Sequence, residues 1–166
     1  MSKQLLTATQ NRLEKILSSV GDMALKRRAK RIVEELELKN GDHILDIGCG
    51  NGYYLSLLNR LGFKLKLTGV DNDKRGLSDA KRFIADEKVR LVFGIAEKLP
   101  FKNKSFDKII ISEVIEHVQD DLIVLKEANR VLRIGGILVL TTCNINYPFF
   151  WDPINWILQH FFATHI

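Results

Sequence analysis

Short apolar runs alternate with longer amphipathic segments along most of this chain, and this alternation restricts the fold more than any other feature. Apolar runs suited to strands occupy residues 43–47, 64–71, 89–94, 106–112 and 136–142. Segments whose apolar residues recur at helical spacing occupy 22–38, 53–61, 73–86 and 120–132. Strands separated by helix-length segments form βαβ units, so the pattern predicts an α/β fold with a doubly wound, mainly parallel sheet.

The length of 166 residues suits one domain with a sizeable core. We expect a helical segment over residues 1–21, the core over 22–145, and a C-terminal segment over 146–166 that holds half of the aromatic residues. In that last segment a short helix is predicted from Asp152 onward. The segment either begins a truncated region, folds over the sheet edge, or meets a second subunit; we expect truncation.

Composition excludes several classes of protein. The N-terminus lacks the apolar stretch of a signal peptide, and no apolar run is long enough to cross a bilayer, so a cytoplasmic location is expected. Cys49 and Cys143 stand in unlike contexts, which predicts neither a disulfide framework nor a zinc site. The net charge of +5 comes largely from residues 26–31, KRRAKR, where a solvated helix face is favoured over a nucleic-acid patch.

Three glycines follow the first predicted strand, in the turn Gly48-Cys49-Gly50-Asn51-Gly52. In a doubly wound sheet this turn lies where ligands bind, and glycines let a ligand approach the backbone. Asp71 ends the second strand, where a carboxylate can reach ribose hydroxyls; its alternative role is the N-cap of the next helix. We favour ribose binding, because position and chemistry agree with the turn.

The turn lacks two common nucleotide-binding motifs, and this limits the kinds of ligand that it can bind. A dinucleotide fingerprint needs glycine where Tyr53 stands, and the Gly-Lys-Ser/Thr ending of a P-loop is absent. Asp46, just before the turn, would repel a pyrophosphate. This carboxylate instead suits a ligand that carries a cationic group.

Several segments, in order, resemble the signatures of the class I S-adenosylmethionine-dependent methyltransferases. They are ILDIGCGNG, GVD, GIAEKLPFKNKSFDKIIISEVIEHV and LKEANRVLRIGGILVLTT. The resemblance covers residues 30–145 and is greatest to the branch with small-molecule and lipid-quinone acceptors. It implies a Rossmann-like methyltransferase fold with strand order 3-2-1-4-5, S-adenosylmethionine as cofactor, S-adenosylhomocysteine as product, and in-line displacement onto a small or lipid-like acceptor.

The resemblance also implies the cofactor-binding residues. Asp46 and the turn would hold the methionine end, Asp71 the ribose, and the following residues the adenine and the reacting centre. The full set is Asp46, Gly48, Cys49, Gly50, Asn51, Gly52, Asp71, Asn72, Ile95, Ala96, Glu97, Ser112 and Glu113. Ile95 stands where the family has an aspartate that accepts from the adenine amino group, which puts one contact in question. Ile134 replaces a proline before the paired glycines.

Catalytic candidates lie in SEVIEHV, where Glu113, Glu116 and His117 would share one face if the segment were helical. Glu113 and His117 are the proposed catalytic residues: His117 as a base where the acceptor must lose a proton, and Glu113 as a contact to cofactor or substrate. The zinc motifs H-x-x-E-H and H-E-x-x-H do not fit, so no metal is expected. Cys49 is expected to pack rather than act as a nucleophile.

Two further functions stay open at this point. The basic run allows an RNA methyltransferase, although nucleic acid is not the favoured partner. Ile95 and the short C-terminus allow a non-catalytic protein that keeps the cofactor fold. A homodimer or a partner chain is a possible cover for the fifth strand.

Overall fold

The computed structural model describes residues 3–142 and contains five helices and five strands. The helices are α1 (Lys3–Leu17), α2 (Met23–Glu35), α3 (Tyr53–Asn59), α4 (Lys74–Ile84) and α5 (Asp121–Val131). The strands are β1 (His43–Ile47), β2 (Lys66–Asp71), β3 (Arg90–Phe93), β4 (Phe106–Ser112) and β5 (Leu132–Thr141). They form one sheet in the order β3-β2-β1-β4-β5 with every pair parallel, so the predicted α/β class, doubly wound sheet and strand order are confirmed.

Both faces of the sheet are covered, which explains why its central strands are apolar without a break. Ile44, Ile110 and Val139 belong to a core shared with α1, α2 and α3. A neighbour of each of these residues in its strand belongs to a second core, which is shared with α5. These neighbours are Leu45 in β1, Ile109 in β4 and Leu138 in β5. Alternate residues of each strand therefore face opposite layers of helices.

Helix α2 is shorter than the pattern predicts. It begins after Asp22, whose side chain accepts from the N–H groups of Ala24 and Leu25 at 2.8 and 3.1 Å. It ends at Glu35 rather than residue 38, because Glu37 takes a left-handed φ of 46° that no helix continues through. The chain then turns and enters β1 at the amino end of that strand. The end of α2 therefore lies near the amino ends of the strands, and its first half lies toward their carboxyl ends.

Strand β5 begins earlier than predicted. The expectation placed its start at residue 136, but α5 passes directly into the strand at Leu132. Phe106 pairs with Leu132 and Lys108 with Ile137, so residues 133–136 form an irregularity within the strand. Gly135 lies there with a φ of 74°, and the residue that replaces the family's proline, Ile134, is exposed.

The aromatic segment 146–166 and the helix predicted from Asp152 lie outside the described residues. Within the part of the chain that is described, no helix is long and apolar enough to cross a membrane.

Candidate functional site

The turn after β1 is built from glycines because side chains would not fit its conformation. Gly48, Gly50 and Gly52 have φ values of 71°, 50° and 80°. A Cβ on Gly48 would lie 2.3 Å from Val114 Cγ2, and one on Gly52 would lie 2.7 Å from Ile84 Cδ1. A Cβ on Gly50 would meet nothing within 4 Å, so the backbone at this position is open to a ligand.

Asp71 connects the end of β2 to this turn. Its Oδ2 accepts from the backbone N–H of Gly50 at 2.7 Å, and its Oδ1 accepts from the N–H of Asp73 at 2.8 Å. The N-cap of α4 is Asp73, which accepts from Arg75 N–H at 2.8 Å. The alternative role considered for Asp71, capping α4, therefore belongs to Asp73, and the Asp71 carboxylate faces the crevice.

A cavity of about 230 Å³ opens at the carboxyl ends of β1, β2 and β4. Seven of the residues proposed from the sequence line it: Gly48, Asp71, Asn72, Ala96, Glu97, Glu113 and His117. Lining residues that the sequence reasoning missed include Ile47, Val70, Gly94, Val114 and Val118. Val114 and Val118 lie in SEVIEHV, and because this segment is not a regular helix, no periodic pattern in the sequence marks them as lining residues.

The other proposed residues do not line this cavity. They lie in the turn after β1 and at the strand ends, and they are Asp46, Cys49, Gly50, Asn51, Gly52 and Ser112. Ile95 is 46% exposed, forms an isolated bridge with Lys98 and is not among the residues that line the cavity.

Asp46 is a carboxyl group almost without contact with solvent. Only 1% of the residue is exposed, and its Oδ2 has no hydrogen-bond partner among the described residues. Burial, followed by repulsion from Asp71, raises the pKa of Asp46 to about 8. Burial thus favours the protonated form of Asp46, and its ionised form would need a cationic partner.

Cys49 is held inside the fold. The residue is 6% exposed, and its Sγ would lie 2.7 Å from a Cβ placed on Gly69. Burial, followed by repulsion from Asp46 and Asp71, raises the pKa of the Cys49 thiol far above its ordinary value. The thiol therefore stays protonated, which suits packing and not nucleophilic attack.

Three hydroxyl groups form a chain beside Asp46. Tyr54 Oη lies 3.0 Å from Ser112 Oγ, and Ser112 Oγ lies 2.9 Å from Thr141 Oγ1. These residues join α3 to the ends of β4 and β5. These hydroxyl groups can donate or accept hydrogen bonds, and none of the three residues lines the cavity.

SEVIEHV is not a regular helix, so the condition under which its charged residues would share one face is not met. Glu113 has a left-handed φ of 56°, and only a short 3₁₀ turn, Ile115–His117, follows it. Glu116 turns away and accepts from Thr142 Oγ1 at 3.1 Å, whereas Glu113 and His117 both line the cavity. The strained backbone at Glu113 aims its carboxylate at the crevice, and Arg28 Nη2 lies 3.2 Å from Glu113 Oε2.

The basic run 26–31 lies largely on the solvated helix face that was predicted, since Arg27, Lys30 and Arg31 are exposed, but Arg28 is not part of that face. Arg28 pairs with Glu113 at the crevice, and only 14% of its side chain is exposed. Lys30 pairs with Glu14 at 2.6 Å, and Arg31 pairs with Glu35 at 3.0 Å. Intramolecular partners thus neutralise much of the run.

The order of the five parallel strands, the glycine turn after β1 and the carboxylate after β2 define the class I S-adenosylmethionine-dependent methyltransferase fold. A family model described as a methyltransferase domain matches residues 45–140. The chain belongs to this methyltransferase family.

Individual proteins agree with that assignment. Demethylmenaquinone methyltransferase of Staphylococcus aureus is 37% identical over 124 residues, which cover 73% of this chain and 52% of the relative. The YcgJ protein of Bacillus subtilis superposes with a TM-score of 0.66 at 28% identity over 70% of this chain and 50% of that one. A SAM-dependent methyltransferase from Aquifex aeolicus, 21% identical, has a TM-score of 0.66 over 84% and 77% of the two chains, a likeness in fold alone. The chain spans about half the length of the S. aureus relative.

Proposed function

We propose that this chain binds S-adenosylmethionine in the crevice and serves methyl transfer to a small or lipid-like acceptor of the quinone type. The observation that carries the proposal is Asp46, a buried carboxyl group whose Oδ2 lacks a hydrogen-bond partner in the described part of the chain. A cation at this position would favour the ionised form of Asp46, whose raised pKa keeps it mostly protonated at pH 7. The family assignment supports the same donor.

The residues present fit such a donor. The amino group of its methionine end is cationic, and Asp46 would bind that end together with the open backbone at Gly50. Asp71 would accept from the ribose hydroxyls, because its carboxylate already lies at the turn and accepts from N–H donors. Asn72, Ala96 and Glu97 would surround the adenine. Ile95 offers no side-chain acceptor, so backbone groups of Ala96 and Glu97 would take the adenine amino group.

When bound, S-adenosylmethionine supplies a methyl group on a sulfonium, and its transfer is an in-line displacement during which the positive charge disappears. The protein's part is mainly to position both partners and to exclude water. Val114 and Val118 give the crevice apolar lining for this purpose. His117 lines the same cavity, and we propose that its imidazole accepts a proton when the acceptor is a hydroxyl or an acidic carbon.

Two observations support an apolar acceptor of the quinone type: the name of the S. aureus relative and the apolar residues that line the cavity. The S. aureus relative is named for demethylmenaquinone, an apolar quinone, and Val114 and Val118 suit an apolar ring. RNA is less well supported, since Arg28, Lys30 and Arg31 are paired with carboxylates of the same chain.

Binding and transfer can be tested separately. Titration calorimetry with S-adenosylhomocysteine should show one site with micromolar affinity, and the absence of heat at high micromolar concentration would overturn the proposal. Methyl-labelled donor and a short-tailed reduced demethylmenaquinone should then yield the methylated hydroquinone. Donor binding without transfer to this acceptor or to any of a broad panel would instead favour the non-catalytic alternative.

A further inference from the structure

The loop that follows β3 carries two of the proposed donor-binding residues at the tip of a tight turn. Ala96 and Glu97 line the cavity, and a hydrogen bond from Lys98 N–H to Ile95 O at 3.2 Å closes the turn around them. The side chain of Ile95 cannot accept a hydrogen bond, so an adenine at this tip would be recognised by the backbone of Ala96 and Glu97. Recognition by backbone groups depends on where the loop is held.

The loop is held on both sides of the turn. Before the turn, Gly94 N–H donates to Asp71 O at 3.0 Å, which ties the loop to the end of β2. After the turn, Leu99 N–H donates to Glu127 Oε2 at 2.8 Å, and the Leu99 side chain is buried in the core that α5 shares. Among the described residues, the cavity lining includes none from α5. This helix therefore holds the loop from outside the cavity.

Glu127 and Arg130 of α5 form what we call the loop clamp. Arg130 Nε and Nη2 lie 2.7 Å from Glu127 Oε1 and Oε2, respectively. Arg130 Nη1 also donates to Phe101 O at 2.8 Å and to Asn103 Oδ1 at 2.9 Å, and Nη2 donates to Leu99 O at 3.0 Å. An isolated ion pair at this helical spacing contributes little to stability. Here the same two side chains bind the loop at several points over residues 99–103.

The edge of adenine makes the position of the turn decisive. Its amino group donates a hydrogen bond beside N1, which accepts one, and a backbone C=O and N–H held in place match this pair. Hypoxanthine, the 6-oxo base, reverses both groups. We propose that Glu127 and Arg130 are positioning residues that set the base selectivity of the donor site by holding the turn at Ala96 and Glu97; this inference rests on the proposed function. The fixed directions of the guanidinium donors allow contacts with Glu127 and the loop at once, which a lysine cannot reproduce.

The test compares two ligands that differ only at this base edge, S-adenosylhomocysteine and S-inosylhomocysteine, by titration calorimetry. The parent chain should prefer the adenine ligand by about 10-fold or more, because mismatched hydrogen-bonding groups are left unpaired. Arg130→Met removes the donors, and Glu127→Gln removes the charge. Each variant should bind S-adenosylhomocysteine about 5- to 20-fold more weakly and S-inosylhomocysteine within about 3-fold of the parent. The double variant should lose no more selectivity than either single variant, because both residues serve one network.

A second ion pair provides the matched control. Arg82 and Asp79 pair at the same helical spacing on α4, and their contact joins two side chains of one helix. Arg82→Met and Asp79→Asn should therefore leave the preference for the adenine ligand unchanged.

The outcomes separate the two proposals. Failure of the parent chain to bind S-adenosylhomocysteine overturns the proposed function. Binding without a preference for adenine, a preference that Arg130→Met and Glu127→Gln both retain, or equal losses for both ligands overturns the role of the loop clamp alone. Partial unfolding of a variant lowers both apparent affinities by the same factor and leaves their ratio unchanged. If Arg130→Met does not fold, Arg130→Lys decides, because the parent's full preference in that variant contradicts the proposal.

Discussion

Gly50 donates its backbone N–H to Asp71 Oδ2 at 2.7 Å, across 21 positions of sequence. This bond joins the turn after β1 to the end of β2, the two segments that a nucleoside bound at this sheet edge must touch together. Because Asp73 caps α4, the Asp71 carboxylate is not needed for the helix. We propose that this bond holds the two segments in position for the ligand, and the contribution of Asp71 can be tested.

Replacing Asp71 by alanine should abolish donor binding without unfolding the chain. The carboxylate would accept from both ribose hydroxyls, and charge-assisted hydrogen bonds contribute about 1.5–3 kcal/mol each, so we expect at least a 100-fold loss of affinity. Titration calorimetry with S-adenosylhomocysteine measures it.

Asp73→Ala is the matched control. It removes the cap of α4, so the free energy of unfolding should fall by about 1 kcal/mol while affinity changes by less than about 3-fold. Equal affinity losses in both variants would mean that the loop geometry, not the Asp71 carboxylate, controls binding.

Donor binding should release a proton near neutral pH. The pKa of Asp46 is raised to about 8, so at pH 7 most free molecules carry this proton, which must leave when a cation binds beside the carboxylate. Affinity should therefore rise about 10-fold per pH unit from pH 6 toward 8. Calorimetry at pH 7 in two buffers of different ionisation heat counts the protons, and an affinity that stays flat over this range contradicts the role of Asp46.

The same carboxyl group should lower the stability of the ligand-free chain at alkaline pH. The folded pKa is raised above the unfolded value of 3.8, so the contribution of Asp46 to stability is greatest below pH 4 and declines as pH rises toward 8. Asp46→Asn cannot ionise, and at pH 8 we expect it to raise the free energy of unfolding by about 1–3 kcal/mol. The gain should shrink toward pH 4 in urea titrations; a loss at pH 8 would show that the carboxylate has a stabilising partner.

Much of the fold follows from local patterns that the sequence displays. Apolar runs and helical spacing predict every element of the core and the parallel sheet, because burial on both faces leaves a continuous apolar signature. The first and last residues of helices and strands are less well predicted where the backbone conformation of one residue, or a contact between distant segments, determines them. Helix α2 ends early at the left-handed Glu37, and β5 begins at Leu132 because that residue pairs with Phe106 of β4, a contact between distant segments.

Residues of the candidate site can be predicted from the sequence only where a short local pattern marks them. The glycine turn, Asp46 and Asp71 stand out in sequence because strand ends and turns mark them. Arg28 does not, since helical periodicity places it among solvated residues and its partner Glu113 lies 85 positions away. SEVIEHV does not continue as a helix because Glu113 takes a left-handed conformation, which the sequence does not indicate for glutamate.

His117 should affect turnover without affecting donor binding. Its side chain lines the crevice beside Val114 and Val118, and loss of a general base lowers rates by about 100-fold or more. His117→Gln should therefore reduce kcat with a reduced quinone acceptor by about that factor, while the Kd for S-adenosylhomocysteine stays within about 2-fold.

His43→Gln is the control for this measurement. The His43 ring lies 3.1 Å from Thr68 Oγ1 and packs on Phe106, at the amino end of the sheet. It should alter stability and leave kcat unchanged. An unchanged kcat in His117→Gln would assign the imidazole to acceptor packing.

Substitutions at Gly48 can show whether the turn requires glycine there because Val114 leaves no space for a side chain. A Cβ at this position would lie 2.3 Å from Val114 Cγ2, so Gly48→Ala should lower the free energy of unfolding by about 3 kcal/mol, combining overpacking with strain at a φ of 71°. Gly50→Ala, with a φ of 50° and nothing within 4 Å, should cost about 1 kcal/mol. Removing the clashing methyls in Gly48→Ala/Val114→Ala should recover about 1–2 kcal/mol relative to the sum of the single variants, measured by urea unfolding. Strict additivity would mean that the strained φ, and not Val114, requires glycine at position 48.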